Sequence, residues 1–180
     1  MKKLAKTLLA TTLLAGAIIP ITASIPNAHA ASKHSNAKVS IQKQHKQTLD
    51  QARKLAAQGK VINSEHFGLG SKKKDIVRKW GKPDATDNMG VGQEQIDYKK
   101  RGVSFFLYKG TVTSVTTEDK RILALTHDEV LKAWGKPYKH DQGAGQVYET
   151  YKAGKHDIDI HWTNVTEKKE GLELVDFTVS

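Results

Sequence analysis

The sequence predicts an α+β fold built from two tandem repeats, each a short helix followed by a three- to four-stranded antiparallel sheet, with an extra N-terminal helix. The tetrapeptide Trp-Gly-Lys-Pro occurs at residues 80–83 and again, 134 − 80 = 54 residues later, at residues 134–137. Each copy closes a segment with helical spacing of apolar residues and precedes strand-like segments. A repeat of about this length is typical of one supersecondary unit used twice. The residues that define the repeat are Trp80, Gly81, Pro83, Trp134, Gly135 and Pro137.

Residues 1–30 have the pattern of a secretory signal peptide. Lys2 and Lys3 open it, residues 8–21 are mostly apolar, and Ala28-His29-Ala30 fits the small-x-small cleavage signal. We therefore predict cleavage after Ala30, secretion, and no stable membrane insertion afterwards. Cleavage removes three of the 29 basic residues and none of the 19 acidic residues. The net charge of the mature chain is then 26 − 19 = +7. Because the chain has no Cys, an exported form must be stabilised by packing rather than by disulfides.

Composition and periodicity divide the rest of the chain into four parts. Residues 31–40 are polar with little to bury, which predicts a flexible tether. Residues 41–62 contain apolar residues at helical spacing and predict the N-terminal helix. The first repeat then covers residues 63–121 and the second covers residues 122–180.

Each repeat begins with a short amphipathic helix. Ser71 is a candidate N-cap for the first, and Thr126 with Glu129 forms a Thr-x-x-Glu capping box for the second. The matching apolar faces consist of Ile76, Val77 and Trp80 in one helix and Val130, Leu131 and Trp134 in the other. We expect Trp80 and Trp134 to lie in the core, as large aromatic residues on such a face usually do.

Strands follow each helix, after turn-rich stretches at residues 88–92 and 141–145. Several of the segments alternate between apolar and polar residues, which is typical of an antiparallel sheet covered on one face. The predicted strands cover residues 95–98, 103–108 and 111–117 in the first repeat and residues 146–151, 157–162 and 172–179 in the second.

These motifs resemble known families. Gly-Ser-Lys-Lys-Lys-Asp-Ile at residues 70–76, with Trp-Gly-Lys-Pro at 80–83, resembles the Gly-x-Thr-x-x-x-Val-x-x-x-Leu-Gly-x-Pro signature of the small-protein-A outer-membrane assembly lipoproteins. The same unit occurs in tandem in the β-lactamase inhibitor protein family. More closely, the tandem motif, the leading helix ending in Gly-Lys-Val at 59–61 and the export signal resemble the YjgB family. Those are secreted proteins of Gram-positive spore formers whose domain has no assigned function, so the resemblance implies a fold and leaves the function open.

The sequence contains few signals of catalysis. It has no Cys nucleophile, no Gly-x-Ser-x-Gly motif and no phosphate-binding or dinucleotide fingerprint, so we predict no cofactor. Two carboxylate pairs, Glu94 with Asp97 and Asp157 with Asp159, leave open a wall-active hydrolase that uses acid/base carboxylates.

One segment suggests a weak metal site. Asp157, Asp159 and His161 project to one face of a predicted strand. Two neighbours on such a face can share a metal ion, whereas three in a line spread over about 14 Å. The alternative interpretation is a solvated outer face opposite the apolar side of the strand.

Three aromatic residues are candidates for a binding surface. Phe106 and Tyr108 alternate with the apolar residues of their strand, so they belong to the face that the core does not use. An aromatic pair there can form a contact surface, although the N-terminal helix or the other repeat can also cover it. Trp162 is the third candidate, because it lies at a strand end beside a charged loop.

Together these observations predict a secreted, non-enzymatic binding module of the cell envelope or extracellular space. Its partner is a protein or an anionic wall polymer, held through sheet faces and loops. Lysine-rich runs at residues 72–74, 99–101 and 168–169 favour weak, salt-sensitive retention at a cell wall, and the charge alone also fits a structural envelope protein deposited there. We do not expect nucleic acid as a partner.

Overall fold

The protein consists of one layer of helices packed on one antiparallel sheet. The computed structural model describes residues 28–64, 66–164 and 171–180. The helices are α1 (Ala28–Ala56), α2 (Lys73–Trp80), α3 (Lys120–Leu123) and α4 (His127–Trp134). The strands are β1 (Ala85–Gly90), β2 (Gln93–Tyr98), β3 (Val103–Tyr108), β4 (Thr111–Thr117), β5 (Lys139–Gly143), β6 (Gln146–Ala153), β7 (His156–Asn164) and β8 (Leu172–Val179).

All eight strands belong to one sheet with the order β1-β2-β3-β4-β8-β7-β6-β5. The two predicted groups of strands therefore join edge to edge, where β4 pairs with β8. The junction is short, with the pairs Val115–Val179, Thr116–Thr178 and Thr117–Phe177. The polar strands β1 and β5 form the two edges of the sheet.

One face of the sheet and all four helices enclose the core. Buried residues of the helices, among them Leu49, Ile76, Ile122 and Val130, belong to the same apolar cluster as alternate residues of the central strands. An amphipathic helix layer on one sheet face is the expected way to bury both apolar surfaces. Trp80 and Trp134, predicted as core residues, are partly buried and pack against this cluster.

The N-terminal helix differs from its predicted bounds. Helix α1 begins at Ala28 and ends at Ala56, so the predicted tether at residues 31–40 is helical and the predicted helix end at residue 62 is too late. Alanine and lysine are good helix formers, so a polar segment can extend a helix. The chain turns at Gly59 (φ 70°), after which Val61 and Ile62 enter the core. Residues 1–27 of the predicted signal peptide and the lysines at 168–169 lie outside the described residues.

Helix ends follow local hydrogen-bonding rules. The predicted capping box is present, since the Thr126 side chain accepts from the Glu129 backbone N–H and the Glu129 side chain accepts from the Thr126 backbone N–H. Ser71 is not the N-cap of α2: Lys72 occupies that position without a side-chain cap. The Ser71 hydroxyl instead accepts the backbone N–H of Gly68 at 3.0 Å, because this residue closes the preceding turn.

Strands β3, β4 and β8 have their predicted bounds, whereas β1, β5 and α3 were not predicted. The two missed strands carry exposed polar residues along nearly their whole length, so they show no apolar alternation. Among the described residues, no helix is long and apolar enough to cross a bilayer.

Candidate functional site

The sheet face opposite the helices, called the open face below, extends across all eight strands. Its side chains are half-buried or exposed, whereas most side chains on the other face of β2–β4 and β6–β8 are buried. One row of directly paired residues crosses all eight strands at its centre. In order these are Ala85, Asp97, Ser104, Thr116, Thr178, Asp159, Thr150 and Lys139. At the β4–β8 junction the hydroxyls of Thr116 and Thr178 are 2.7 Å apart and hydrogen bonded.

The open face is acidic although the chain as a whole has a net charge of +10. Its strands place seven carboxylates there against the two lysines Lys139 and Lys152. The carboxylates are Asp87, Asp97, Asp141, Asp157, Asp159, Glu173 and Asp176. Basic residues are frequent instead on the helices and in the segments that flank them, for example along α2. The two sides of the molecule therefore differ in charge.

Phe106 and Tyr108 lie on the open face, as their alternation predicted. Phe106 is half-buried, and Tyr108 is 44% exposed. The ammonium group of Lys109 lies 5.1 Å from the centroid of the Tyr108 ring, within the range of a cation–π contact. Phe106 and Tyr108 are called the aromatic patch below, and they lie on the β1–β4 half of the sheet.

A second aromatic group lies on the β5–β8 half. Tyr148, 50% exposed, stacks on His161 with ring centroids 4.4 Å apart and planes 7° from parallel. His161 is held from both sides, since its Nδ1 lies 3.2 Å from Asp176 Oδ2 and its Nε2 is hydrogen bonded to Gln146. Sequence reasoning missed Tyr148, although the alternation of β6 places it on the same face as His161.

The three predicted metal candidates lie on one face but have separate partners. Asp157 accepts from Lys152 Nζ and the Tyr138 hydroxyl, each at 2.6 Å. Asp159 accepts from the hydroxyls of Thr150 at 2.8 Å and Ser180 at 3.0 Å. The hydrogen bond from Lys152, with a second from Tyr138, lowers the pKa of Asp157. Within the described ranges, no three side chains of metal-ligating type are placed to hold an ion.

Trp162 was predicted as a surface residue, and the structure corrects this. Its side chain is fully buried, because it lies on the core face of β7 between β6 and β8. Its indole N–H donates to Glu149 Oε2 at 3.2 Å. Trp162 is therefore part of the fold and offers no surface to a partner.

Glu149 is the centre of a buried polar cluster that sequence reasoning missed. The residue is only 2% exposed. Its Oε1 lies 3.0 Å from His127 Nε2 and 3.4 Å from His140 Nδ1, and its Oε2 accepts from the Tyr151 hydroxyl at 3.0 Å. The only sequence signal is that Glu149 shares its strand face with Val147, Tyr151 and Ala153, which are all buried.

The electrostatics of the cluster favour a charged carboxylate. Burial opposes ionisation, but the hydrogen bonds from His127, Tyr151 and Trp162 outweigh it and lower the pKa of Glu149. Burial and the neighbouring negative charge of Glu149 raise the pKa of the Tyr151 hydroxyl, which stays protonated as a donor. The cluster thus fixes the start of α4 to the core face of β6 and β7.

One predicted carboxylate pair is not assembled. Glu94 and Asp97 are three residues apart on β2, so their side chains point to opposite faces. Glu94 pairs with Lys73 of α2, whereas Asp97 accepts from Gln95 Nε2 at 2.8 Å on the open face. The pair cannot act together on one glycosidic bond, which requires two carboxylates about 5–10 Å apart across one site.

Comparison with known proteins identifies relatives by fold. Residues 49–179 match a family described as "Domain of unknown function (DUF4309)". A crystal structure of a DUF4309 family protein (YjgB) from Bacillus subtilis subsp. subtilis str. 168 is similar over 77% of this chain and 98% of that chain, with 12% identity and a TM-score of 0.54. A cysteine-rich secretory protein (SAV1118) from Staphylococcus aureus subsp. aureus Mu50 gives 15% identity and a TM-score of 0.39 over 61% of this chain and 44% of that chain. No curated protein matches the sequence.

Proposed function

The chain belongs to the DUF4309 family of domains of unknown function, and we propose that it is a secreted, non-enzymatic binding module that takes a protein partner on its open face. The observation that carries the proposal is a complete face of an eight-stranded sheet without covering elements in the described part of the chain. An uncovered sheet face that carries exposed aromatic residues is typical of an interaction surface.

The aromatic residues are the proposed anchors. Tyr108 and Tyr148 are each about half exposed, on opposite halves of the sheet. Tyrosine is enriched at interface hot spots, because its ring buries a large area while its hydroxyl still finds a partner. The side chains around them are held by hydrogen bonds, as between Thr150 and Asp159, so little conformational entropy is lost on binding.

The charge of the open face favours a protein over an anionic polymer as its partner. Seven carboxylates would repel a polyphosphate chain, whereas they complement basic side chains of a protein. An anionic wall polymer remains a second candidate for a different surface. A concavity of about 700 Å³ beside α2 supports it, lined by Lys72, Lys73, Lys74, Val77, Arg78 and Gly110.

We also infer that the open face derives from two copies of one unit. The repeated Trp-Gly-Lys-Pro motif ends both α2 and α4, and four strands follow each of these helices. The strand order is palindromic about the β4–β8 junction if β5–β8 correspond to β1–β4. Two equivalent units would supply two related, non-identical halves of one surface.

Immobilised protein incubated with envelope and culture extracts at rising salt tests the proposal. A discrete protein retained at high salt is expected, and retention by the double variant Phe106→Ala/Tyr108→Ala should fall at least about tenfold, as for hot-spot residues. Ile41→Ala is the matched control, since Ile41 is a half-exposed apolar residue on α1. Equal retention by the double variant would overturn the assignment of the aromatic patch.

A zymogram on wall material tests the enzymatic alternative. The proposed binding module produces no clearing zone. A clearing zone that disappears in Asp157→Asn or Asp159→Asn would establish the wall-active hydrolase instead, because those two carboxylates share the open face.

A further inference from the structure

The turn between β1 and β2 combines an exposed apolar residue with an unfavourable backbone conformation. Val91 is 92% exposed, and its φ of 49° lies in the left-handed region. A β-branched residue rarely adopts this conformation, because its side chain crowds the backbone, and Asn or Gly normally occupies this position of a two-residue hairpin turn. Met89, two residues before Val91, is 53% exposed. Met89 and Val91 are called the apolar tip below.

The other end of the sheet shows that the turn itself does not require valine. Ala144-Gly145 joins β5 to β6 with φ values of 49° and 76°, close to the 49° and 77° of Val91-Gly92. The φ values of the two turns thus match, but the exposed side chain of Ala144 is a single methyl group. Val91 exposes more apolar surface in an equally strained position, which points to a contact outside the fold.

Lysines surround the apolar tip. The Lys109 backbone N–H donates to Gly92 O at 2.8 Å, which places the β3–β4 turn beside the tip. On the far side of that turn, Lys72 Nζ donates to Thr111 Oγ1 at 2.7 Å, and the Lys73 N–H donates to Gly110 O at 2.9 Å. The tip is therefore continuous with the basic concavity beside α2.

This corner has an excess of positive charge. Lys73 is paired with Glu94, and Arg78 is paired with Asp75 at 2.9 Å. The described residues here also include three lysines that form no ion pair with a carboxylate. These are Lys72, Lys74 and Lys109.

We propose that this corner docks on the surface of an anionic membrane, with the apolar tip among the lipid headgroups and the lysines on lipid phosphates. Interfacial membrane binding combines these two features: exposed apolar side chains that leave water and flanking lysines attracted to anionic lipid. A protein pocket would require a complementary cavity, whereas a lipid surface accepts a protruding tip of this shape directly. The contact lies on the membrane and does not span it.

The proposal goes beyond the open-face function and shares only Lys109 with the surroundings of the aromatic patch. Its other residues are different, so the two can fail separately. Docking by the tip would hold the β1–β2 edge of the sheet against the membrane. A partner could then still reach the Tyr148 half of the open face, at the other end of the strand order.

The absence of Cys from the chain allows a local test in the full-length protein. Val91→Cys carries an environment-sensitive fluorophore, and Ala144→Cys, with the same fluorophore, is the matched control. Both proteins are mixed with vesicles of equimolar phosphatidylglycerol and phosphatidylcholine, or of phosphatidylcholine alone. We expect a blue shift and a several-fold rise in emission only at position 91 and only with phosphatidylglycerol, quenched by spin-labelled lipid. A local probe is needed because membrane binding through the apolar N-terminal residues would change the emission at positions 91 and 144 alike.

Substitution of the lysines completes the test. Lys74→Gln/Lys109→Gln should weaken the response at position 91 by on the order of tenfold, whereas Lys132→Gln/Lys136→Gln, on and just after α4, should leave it unchanged. A second label at Met89→Cys repeats the measurement if Val91→Cys unfolds. Equal responses at positions 91 and 144, or no response at 89 and 91, would overturn the proposal. A response to envelope protein but not to vesicles would also overturn it, in favour of a protein partner.

Discussion

The Nε2 atom of His127, the first residue of α4, lies 3.0 Å from Oε1 of Glu149, a carboxylate that is only 2% exposed. The first half of the chain has a corresponding contact, because Lys73, the first residue of α2, forms an ion pair with Glu94 of β2. In both halves, a basic residue at the helix start is held by a carboxylate on the second strand that follows. The Glu149 pair is the more deeply buried of the two, so removal of only one of its partners should be the more destabilising change.

Removal of the Glu149 carboxylate should destabilise the protein strongly. Glu149→Ala leaves buried donors of His127, Tyr151 and Trp162 without an acceptor, and we expect a loss of about 3–5 kcal/mol in the free energy of unfolding. Glu149→Gln keeps one acceptor oxygen and should lose less, about 1–3 kcal/mol. Urea denaturation measures both, with the exposed Glu173→Gln as a control expected within about 0.5 kcal/mol of wild type. A Glu149→Ala variant as stable as wild type would contradict the role of the cluster.

The same carboxylate predicts acid sensitivity. The folded-state pKa of Glu149 lies below its ordinary value of 4.5, so the unfolded state binds this proton more readily. Its stabilising contribution is therefore complete above about pH 4.5 and is lost as the pH falls through the lower, folded-state value. The free energy of unfolding should decline in this range for wild type and decline less steeply for Glu149→Gln. Parallel curves for the two proteins would show that other carboxylates control the acid transition.

Helices α2 and α4 predict opposite effects of capping substitutions. Thr126→Ala removes the cap of α4 and should cost about 1 kcal/mol. Lys72 has the extended backbone of an N-cap residue (φ −94°, ψ 138°) but no side-chain cap, so Lys72→Ser should stabilise α2 by about 0.5–1 kcal/mol. Thermal or urea unfolding measures both changes. Destabilisation by Lys72→Ser would mean that its bond to Thr111 contributes more than a cap does.

Val91 should limit the stability of the β1–β2 hairpin. Val91→Asn creates the Asn-Gly sequence that this turn type favours and should raise the free energy of unfolding by about 1 kcal/mol. Ala144→Asn makes the same change in the β5–β6 hairpin, where the residue replaced is not β-branched, and a smaller gain is expected. Urea denaturation of both variants tests this. A loss of stability in Val91→Asn would indicate that the valine packs within the fold.

Much of the fold could be predicted because its signals are local. The alternation of residues 103–108 placed Phe105 in the core and Phe106 on the other face, and the spacing of Thr126 and Glu129 predicted a cap. The site was less predictable. Trp162 looked exposed from its neighbouring charged loop, but the strands on either side bury it. Glu149 is the converse case: the sequence suggested an exposed residue, because charged side chains are rarely fully buried. Four side chains at hydrogen-bonding distance allow its burial, namely His127, His140, Tyr151 and Trp162.

Local sequence patterns specify the helix ends at the Trp-Gly-Lys-Pro motifs and the faces of the central strands, because these depend on contacts within a few residues. How the strands join, and which surface of the sheet remains uncovered, depends on contacts between residues that are distant in the chain. The pairing of Val115 with Val179 links residues 179 − 115 = 64 positions apart, and no local pattern encodes it. The β4–β8 pairing also leaves β1 and β5 at the two edges of the sheet. Their polar sequences are stable as strands because the neighbouring strand supplies their hydrogen bonds. The continuous acidic open face follows from that arrangement, because the β4–β8 pairing joins the carboxylates of both halves in one sheet.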